Sequence, residues 1–396
     1  MDTVGDRMKQ WRRRRGGMSQ RTLADLAGLS QGYVSQIESG QKPLDRKSTQ
    51  VAIAQALNIT VPQLLGQPAT DADPVRDRAV AYVPAIRDTL IELAYGERRP
   101  PRRDATAVRA AVSHATDLRN AADYGAIAPL LPDLLMDLAG HGMDLGGEMV
   151  ETLFTTRFTL RTMGHMDLSR EAAEVAVTVA RDYGDPAWIG QAAYNLVQAF
   201  PQESAVVGHR MAVRAADELD TAKGRGAREV YGCLHLLAAL ESAVANQAGQ
   251  AYAHLDEAEQ VARSVGEPQR RTDLTAGWNG NWFGPTQVAI WRITINAELG
   301  EAGAALESAA RVDMSKMPVP NRHVYFWTDQ ARALAALGKD REAMGALAKA
   351  ERSAPQHFRF SPATRDLTAS LIARAKRRAV AGELSDMARK LGLHPL

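Results

Sequence analysis

Three glutamines, a tyrosine and a set of cations are the residues of this chain best suited to chemistry with a partner. Gln20, Gln31 and Gln36 lie in "SQRTLADLAGLSQGYVSQIESGQ" (19–41), with Tyr33 among them and Arg21, Lys42, Arg46 and Lys47 close by. An amide side chain offers a donor and an acceptor together, the combination that reads a base edge, while lysine and arginine meet phosphate. Arg12–Arg15 adds four cations in a row. Neighbours on a helix point ~100° apart, so that run cannot serve one surface.

A second set lies far along the chain. Polar residues four apart stand among apolar neighbours: Arg157 with Arg161, Gln191 with Asn195, Tyr231 with His235, and Arg292 with Asn296. Trp278, Trp282, Trp291 and Trp327 gather in one region, with Asn279 and Asn281 beside the first two. Such stripes suit a groove that bonds a peptide backbone or a carboxylate, with aromatics for an apolar body. The ligand candidates are Gln191, Asn195, Tyr231, His235, Trp278, Trp282, Arg292, Asn296 and Trp327. The competing reading is packing: Trp291 and Trp327 fall on apolar stripes, and His235 lies on an apolar helix.

Catalysis has little to stand on. The sequence has no H-E-x-x-H helix and no nucleophile elbow, and "GHGMDLGG" (140–147) lacks the lysine of a phosphate loop. The single cysteine, Cys233, sits in an apolar run and reads as a small buried hydrophobe. No enzyme activity, cofactor or metal is expected.

The elements that position the first set can be read locally. Ser19 caps a helix through Leu23 and Leu26, Gly28 makes the turn, and Ser30 caps a second helix with Val34 and Ile37 inward. Ala24 is small because the second helix crosses close over it. That leaves Gln31, Gly32, Tyr33 and Gln36 outward, as in a helix-turn-helix. Residues 4–15 make a preceding helix, 46–60 a fourth, and Pro62 opens a fifth. Residues 1–68 carry ten Lys and Arg against five Asp and Glu, whereas the rest of the chain has 38 against 41. A small basic head on a slightly acidic body is a nucleic-acid footprint.

"GQPATDADP" (66–74) reads as a linker, giving a head at 1–68, a linker at 69–74 and a body at 75–396. The body is alanine- and leucine-rich with helical spacing, and similar helix endings recur at Gly164, Gly249, Gly300 and Gly338. Intervals near forty residues mean stacked helical hairpins. "RITINAEL" (292–299) alternates like a strand, yet Val288, Trp291, Ile295 and Leu299 form a helical stripe, and the segment is assigned as helix. The expected fold class is therefore all-α, a five-helix head followed by an α-solenoid. No apolar run approaches the ~18 residues of a membrane span. The start, "MDTVGDRMKQWRRRR", has no apolar segment beside its charges, so a cytoplasmic location is expected.

The head resembles the XRE-type (Cro/C1-type) helix-turn-helix family through Ser19, Gln20, Leu23, Ala24, Gly28, Ser30, Val34, Ser35, Ile37, Glu38 and Gly40. The resemblance implies that the helix from Ser30 enters a major groove and that the residue matching Gln20 meets a phosphate or braces a recognition side chain. The DNA-contact candidates are Gln20, Arg21, Ser30, Gln31, Gly32, Tyr33, Gln36, Lys42, Arg46 and Lys47. Gly32 departs from the family's longer side chain at that place. Tyr33 is left to stack on a sugar or meet a thymine methyl. The Gly338 unit resembles the tetratricopeptide repeat, with Trp327, Ala331, Gly338, Ala343 and Pro355 at its offsets. Phe283, Gly284, Pro285, Thr286, Val288 and Ala289 resemble a stretch found in a set of actinobacterial regulators. Together these imply a transcriptional regulator that binds double-stranded operator DNA as a homodimer. Its body senses a small molecule or a peptide; the alternative is a body that serves as a protein–protein scaffold.

Overall fold

The structure is a computed structural model, and it describes residues 3–15, 17–59, 61–66, 78–268, 281–376 and 387–392. Among these residues there is no strand. The linker assigned to 69–74 lies outside them. Among them, too, no helix is long and apolar enough to cross a membrane.

Five helices make the head: α1 (Val4–Arg14), α2 (Gln20–Ala27), α3 (Gln31–Glu38), α4 (Lys47–Ala56) and α5 (Val61–Leu65). Thr3 and Asp6 close a capping box on α1. Ser19 and Ser30 accept the backbone N–H groups of Thr22 and Tyr33 at the starts of α2 and α3. Gly28 ends α2 in the left-handed region at φ 64°, where a side chain is strained. Met8, Leu23, Val34, Ile37, Ile53 and Leu57 form a core separate from that of the body. A Cβ on Gly5 would lie 2.4 Å from the Ile37 carbonyl oxygen, so the glycine is what lets α1 cross α3.

The body begins with α6 (Val83–Ala94), α7 (Ala105–Ala121), α8 (Tyr124–Ile127) and α9 (Leu131–His141). It continues through α10 (Gly146–Thr162), α11 (Met166–Tyr183), α12 (Pro186–Gln198), α13 (Ala205–Leu219), α14 (Arg225–Val244) and α15 (Ala248–Val265). It closes with α16 (Pro285–Leu299), α17 (Ala302–Ala310), α18 (Pro320–Ala336), α19 (Asp340–Ser353), α20 (Pro355–Phe360) and α21 (Pro362–Lys376). Successive helices pack on one another, α10 on α11, α14 on α15 and α18 on α19 most extensively, which is the arrangement of a helical solenoid.

The segment that alternates like a strand is helical, within α16. Its pattern follows from burial on two sides: Val288 and Ile295 join the main core, while Ile290, Ile293 and Ala297 join a smaller cluster with Met317 and Phe326. The stretch at 283–289 is a packing device. Phe283 is fully buried against Gly232, whose Cβ would fall 2.0 Å from the ring. Pro285 starts α16, and Thr286 donates through N and Oγ1 to Glu267 Oε1 at 3.1 and 2.6 Å.

α10 is unusual. It is buried on nearly every side and yet carries Glu148, Glu151, Thr152, Thr155, Thr156, Arg157 and Thr159 inside. Buried charge must be paired or it costs several kcal/mol. Glu148 pairs with Arg109 at 3.0 Å and Glu151 with Arg119 at 2.8 Å.

Candidate nucleic-acid interface

Gln31 and Gly32 are exposed at the start of α3, and Tyr33 and Gln36, one and four residues further on, are half-buried. Ser30, Arg21 and Lys42 are exposed. The Lys42 ammonium lies 5.2 Å from the Tyr33 ring centre, so it covers the aromatic face rather than pairing with an acid. Burial raises the Tyr33 pKa, with Asp45 adding to it. The tyrosine therefore acts as a neutral phenol.

Gln20 braces instead of projecting. Its Nε2 donates to Glu38 Oε2 at 2.8 Å, and Glu38 also takes Arg12 Nε at 2.7 Å and Nη2 at 2.9 Å. Burial alone would push the Glu38 carboxyl up; the bonds from Arg12 and Gln20 outweigh it and hold the group below its ordinary value. This triad ties α1 and α2 to the far end of α3. Within the basic run, Arg12 is thus structural, Arg14 lies over Trp11, and Arg15 donates to the Asn58 carbonyl at 2.6 Å.

The cations that follow α3 meet the solenoid. Arg46 Nε donates to the Glu298 carbonyl at 2.7 Å and Nη2 to Asn246 Oδ1 at 3.4 Å. Ser48 N, in the first turn of α4, donates to Glu298 Oε1 at 3.0 Å. α4 has no side-chain cap of its own, so a carboxylate from 250 residues away fills that place. Arg332 of α18 pairs with Asp45 at 3.4 Å, Glu298 at 3.4 Å and Asp329 at 2.9 Å. Burial would lower the Arg332 pKa, but the three carboxylates hold it well above its ordinary value. Lys47 is half-buried between Arg161, Glu241, Glu298 and Arg332; burial comes first in lowering its pKa, and Arg161 adds to this. On the other flank, α21 touches the head through Ser370 and Gly40, and Asp366 lies 4.0 Å from Arg7.

A cleft of about 440 Å³ remains in this seam. Tyr33, Gln36 and Lys42 line it from the head, and Gly300, Ala333 and Arg374 from the solenoid. α3 and the solenoid therefore share one cavity.

The ligand candidates fall into separate contacts. Arg292 is bound to Asp256 at 3.2 Å and Glu259 at 2.9 Å. Asn296 accepts from Tyr252 at 2.9 Å and donates to Ser308 at 3.3 Å. Tyr231 donates to Glu257 at 3.2 Å, and His235 joins His254 and His209 in a row of tilted rings with nitrogens 3.1 and 3.0 Å apart. Trp327 packs on Phe326, with Lys349 over its ring. Trp282 has φ 53° and packs on the smaller cluster, and Trp278 lies outside the described residues. Gln191 accepts from Asn281 at 2.8 Å, while both polar atoms of the Asn195 amide are buried without a partner among the described residues. Arg157, read from the sequence only as one member of a stripe, is fully buried, and none of its three side-chain nitrogens has a hydrogen-bond partner among the described residues. Its four-residue spacing from Arg161 was visible; its lack of a counter-ion was not, because that depends on every helix around it.

Residues 3–65 match a family model described as a helix-turn-helix domain. No curated protein matches the chain. The matched span is the head as folded here, α1 to α5. With the exposed polar start of α3 and the basic surplus, it makes the head a DNA-binding domain of the helix-turn-helix class. The chain as a whole is a DNA-binding regulator with a helical solenoid attached.

Proposed function

We propose that this chain is a sequence-specific transcriptional regulator that binds operator DNA as a homodimer, and whose solenoid sets how readily the head reaches DNA in response to a small molecule or peptide. The observation that carries this reading is Glu298. Its carboxylate occupies the N-terminus of α4, and its carbonyl holds Arg46. A helix N-terminus flanked by cations is where a phosphate binds, and nucleic-acid phosphates supply most of the affinity of such a domain. The solenoid thus competes with the DNA backbone for the same groups. A signal that loosens or tightens the seam changes DNA affinity, and DNA changes signal affinity by the same factor. Two heads are required because operators of this kind are read as paired half-sites about 34 Å apart or a multiple of it.

The test is Glu298→Gln in the full chain, with operators recovered from a pool of genomic fragments. Removing the charge while keeping the shape should raise operator affinity roughly tenfold, the scale of one charge-assisted bond. Gln31→Ala should lower it and relax specificity at one base pair, worth ~1–3 kcal/mol of discrimination. Sedimentation of the wild type should give a dimer. Unchanged affinity in Glu298→Gln, with helicity intact, would remove the competition from this account.

A further inference from the structure

The interior of the solenoid holds a charge that nothing among the described residues balances. Arg157 of α10 is fully buried, and among the described residues no carboxylate lies within ion-pair distance of it. Its guanidinium carbon is 5.1 Å from the Phe154 ring centre and 5.9 Å from that of Phe158. Two other buried arginines show how this protein normally treats such a group. Arg119 has Glu151 at 2.8 Å and the Thr155 hydroxyl at 2.9 Å. Arg332 has three carboxylates. The charges that act on Arg157 come instead from other arginines, Arg161 and Arg119, and from the phenols of Tyr194 and Tyr325; burial comes first in lowering its pKa, to about 9, so it remains a cation at neutral pH.

Among the described residues, partnerless buried polar atoms also lie on the same helix and on the helix packed against it. Thr159 Oγ1 on α10, and Gln191 Nε2 and both polar atoms of Asn195 on α12, are also buried without partners, and α10 packs on α12. Tyr194 and His357 feel a further arginine, Arg322, whose Nε is unpartnered as well. An orphaned buried donor bears its full desolvation penalty, and the penalty is larger when the group is charged. Aromatic contact offsets only part of that for a cation. Tyr325, which is 38% exposed and 5.0 Å from the His357 ring, marks where this interior meets solvent.

We infer that Arg157 is the anchor of a ligand site in the solenoid, and that the ligand is a small organic carboxylate with a flat apolar body. The carboxylate supplies the missing counter-ion to the planar guanidinium fork, which suits it geometrically. The body lies among Phe158, Tyr194 and Tyr325, and Asn195 serves an amide or hydroxyl on it. This deepens the sensing role proposed above and rests on it only for its consequence, not for binding itself. That consequence has a sign. Arg161, one turn beyond Arg157, also faces Lys47 of the head and repels it. An anion between the two arginines weakens that repulsion, favours the docked head and lowers operator affinity.

Benzoate, phenylacetate and acetate serve as probes, with benzamide as the neutral control, followed by calorimetric titration and thermal unfolding of the full chain. An aromatic carboxylate should bind saturably and raise the melting temperature, acetate more weakly, and benzamide not at all. Arg157→Met should keep the fold, because an apolar side chain replaces an unbalanced charge, and should lose binding by tenfold or more. Tyr325→Ala, near the solvent side, should weaken the aromatic acids more than acetate and covers the case in which Arg157→Met does not fold. Absence of saturable binding by any carboxylate, or equal binding by wild type and Arg157→Met, overturns the site. Binding that leaves operator affinity unchanged upholds the site and counts against the sensing role.

Discussion

Two buried arginines divide this molecule. Around Arg332, at the seam between head and solenoid, Asp45, Asp329 and Glu298 more than match the charge. Around Arg157, in the solenoid interior, nothing among the described residues matches it. Both side chains are held by rigid helices in a nearly water-free setting, so the difference lies in what surrounds them. A seam that closes its own electrostatics is a contact between parts of one chain. An interior that leaves a cation and several amide and hydroxyl atoms unpaired is a contact awaiting another molecule.

The largest expected effect is a pair of opposite signs. Arg332→Met strands three carboxylates in the seam, and breaking a buried network in this way costs about 3–5 kcal/mol. Arg157→Met removes an uncompensated charge, and it should be neutral or stabilising by about 1–4 kcal/mol. Urea unfolding of both variants checks this. If both destabilise by similar amounts, Arg157 is paired in solution and the contrast disappears.

A second prediction separates the seam from the interior by pH. Asp366, facing Arg7, and Glu241, facing Lys47, are both pushed up to about 7 by burial. Freed from the seam, each returns toward an ordinary value near 4. Between about pH 4 and 7 the docked state therefore binds more protons, so docking strengthens as pH falls and weakens as pH rises through 7. From pH 6 to pH 8, operator affinity should rise by about tenfold per carboxylate that is released, since one pH unit on each side of the pKa spans that range. Asp366→Asn should flatten part of the profile. Carboxylate binding at Arg157 should show no such dependence over this range, because the guanidinium stays charged. A flat operator profile in the wild type would mean that these acids stay buried when DNA binds.

What the sequence revealed and what it hid follow the same boundary. The head was legible because its signals are local: Ser19, Gly28 and Ser30 set caps and a turn within a few residues, and the apolar spacing fixes which side of α3 faces out. The solenoid was legible as helical hairpins from period alone, and α16 was recovered despite its alternation. The partners of Arg46 and Lys47 were not legible. They read as free phosphate contacts, but Glu298 and Glu241 lie some two hundred residues or more away in sequence, and nothing local announces them. The polar stripes were visible as spacing, yet Arg292, with its two carboxylates on α15, and Arg157, with none, look alike in one dimension. Burial and pairing, not residue type, tell them apart.

The smallest effect tests whether the reading face is independent of both arginines. Gly32 is exposed in the first turn of α3, is absent from the lining of the seam cleft, and a Cβ there would meet nothing within 4 Å. Glycine is disfavoured in helices by about 0.5–1 kcal/mol relative to alanine, and less near an end. Gly32→Ala should therefore stabilise the head by a few tenths of a kcal/mol and leave the pH profile of docking untouched. Its methyl group would sit next to Gln31, on the face proposed to meet base edges. Affinity for the recovered operator should change while affinity for unrelated DNA stays the same, because phosphate contacts carry the second and not the first. A change in both would place the methyl against the backbone. No change in either would move the reading face away from the start of α3, toward Gln36 and the cleft that the solenoid already fills.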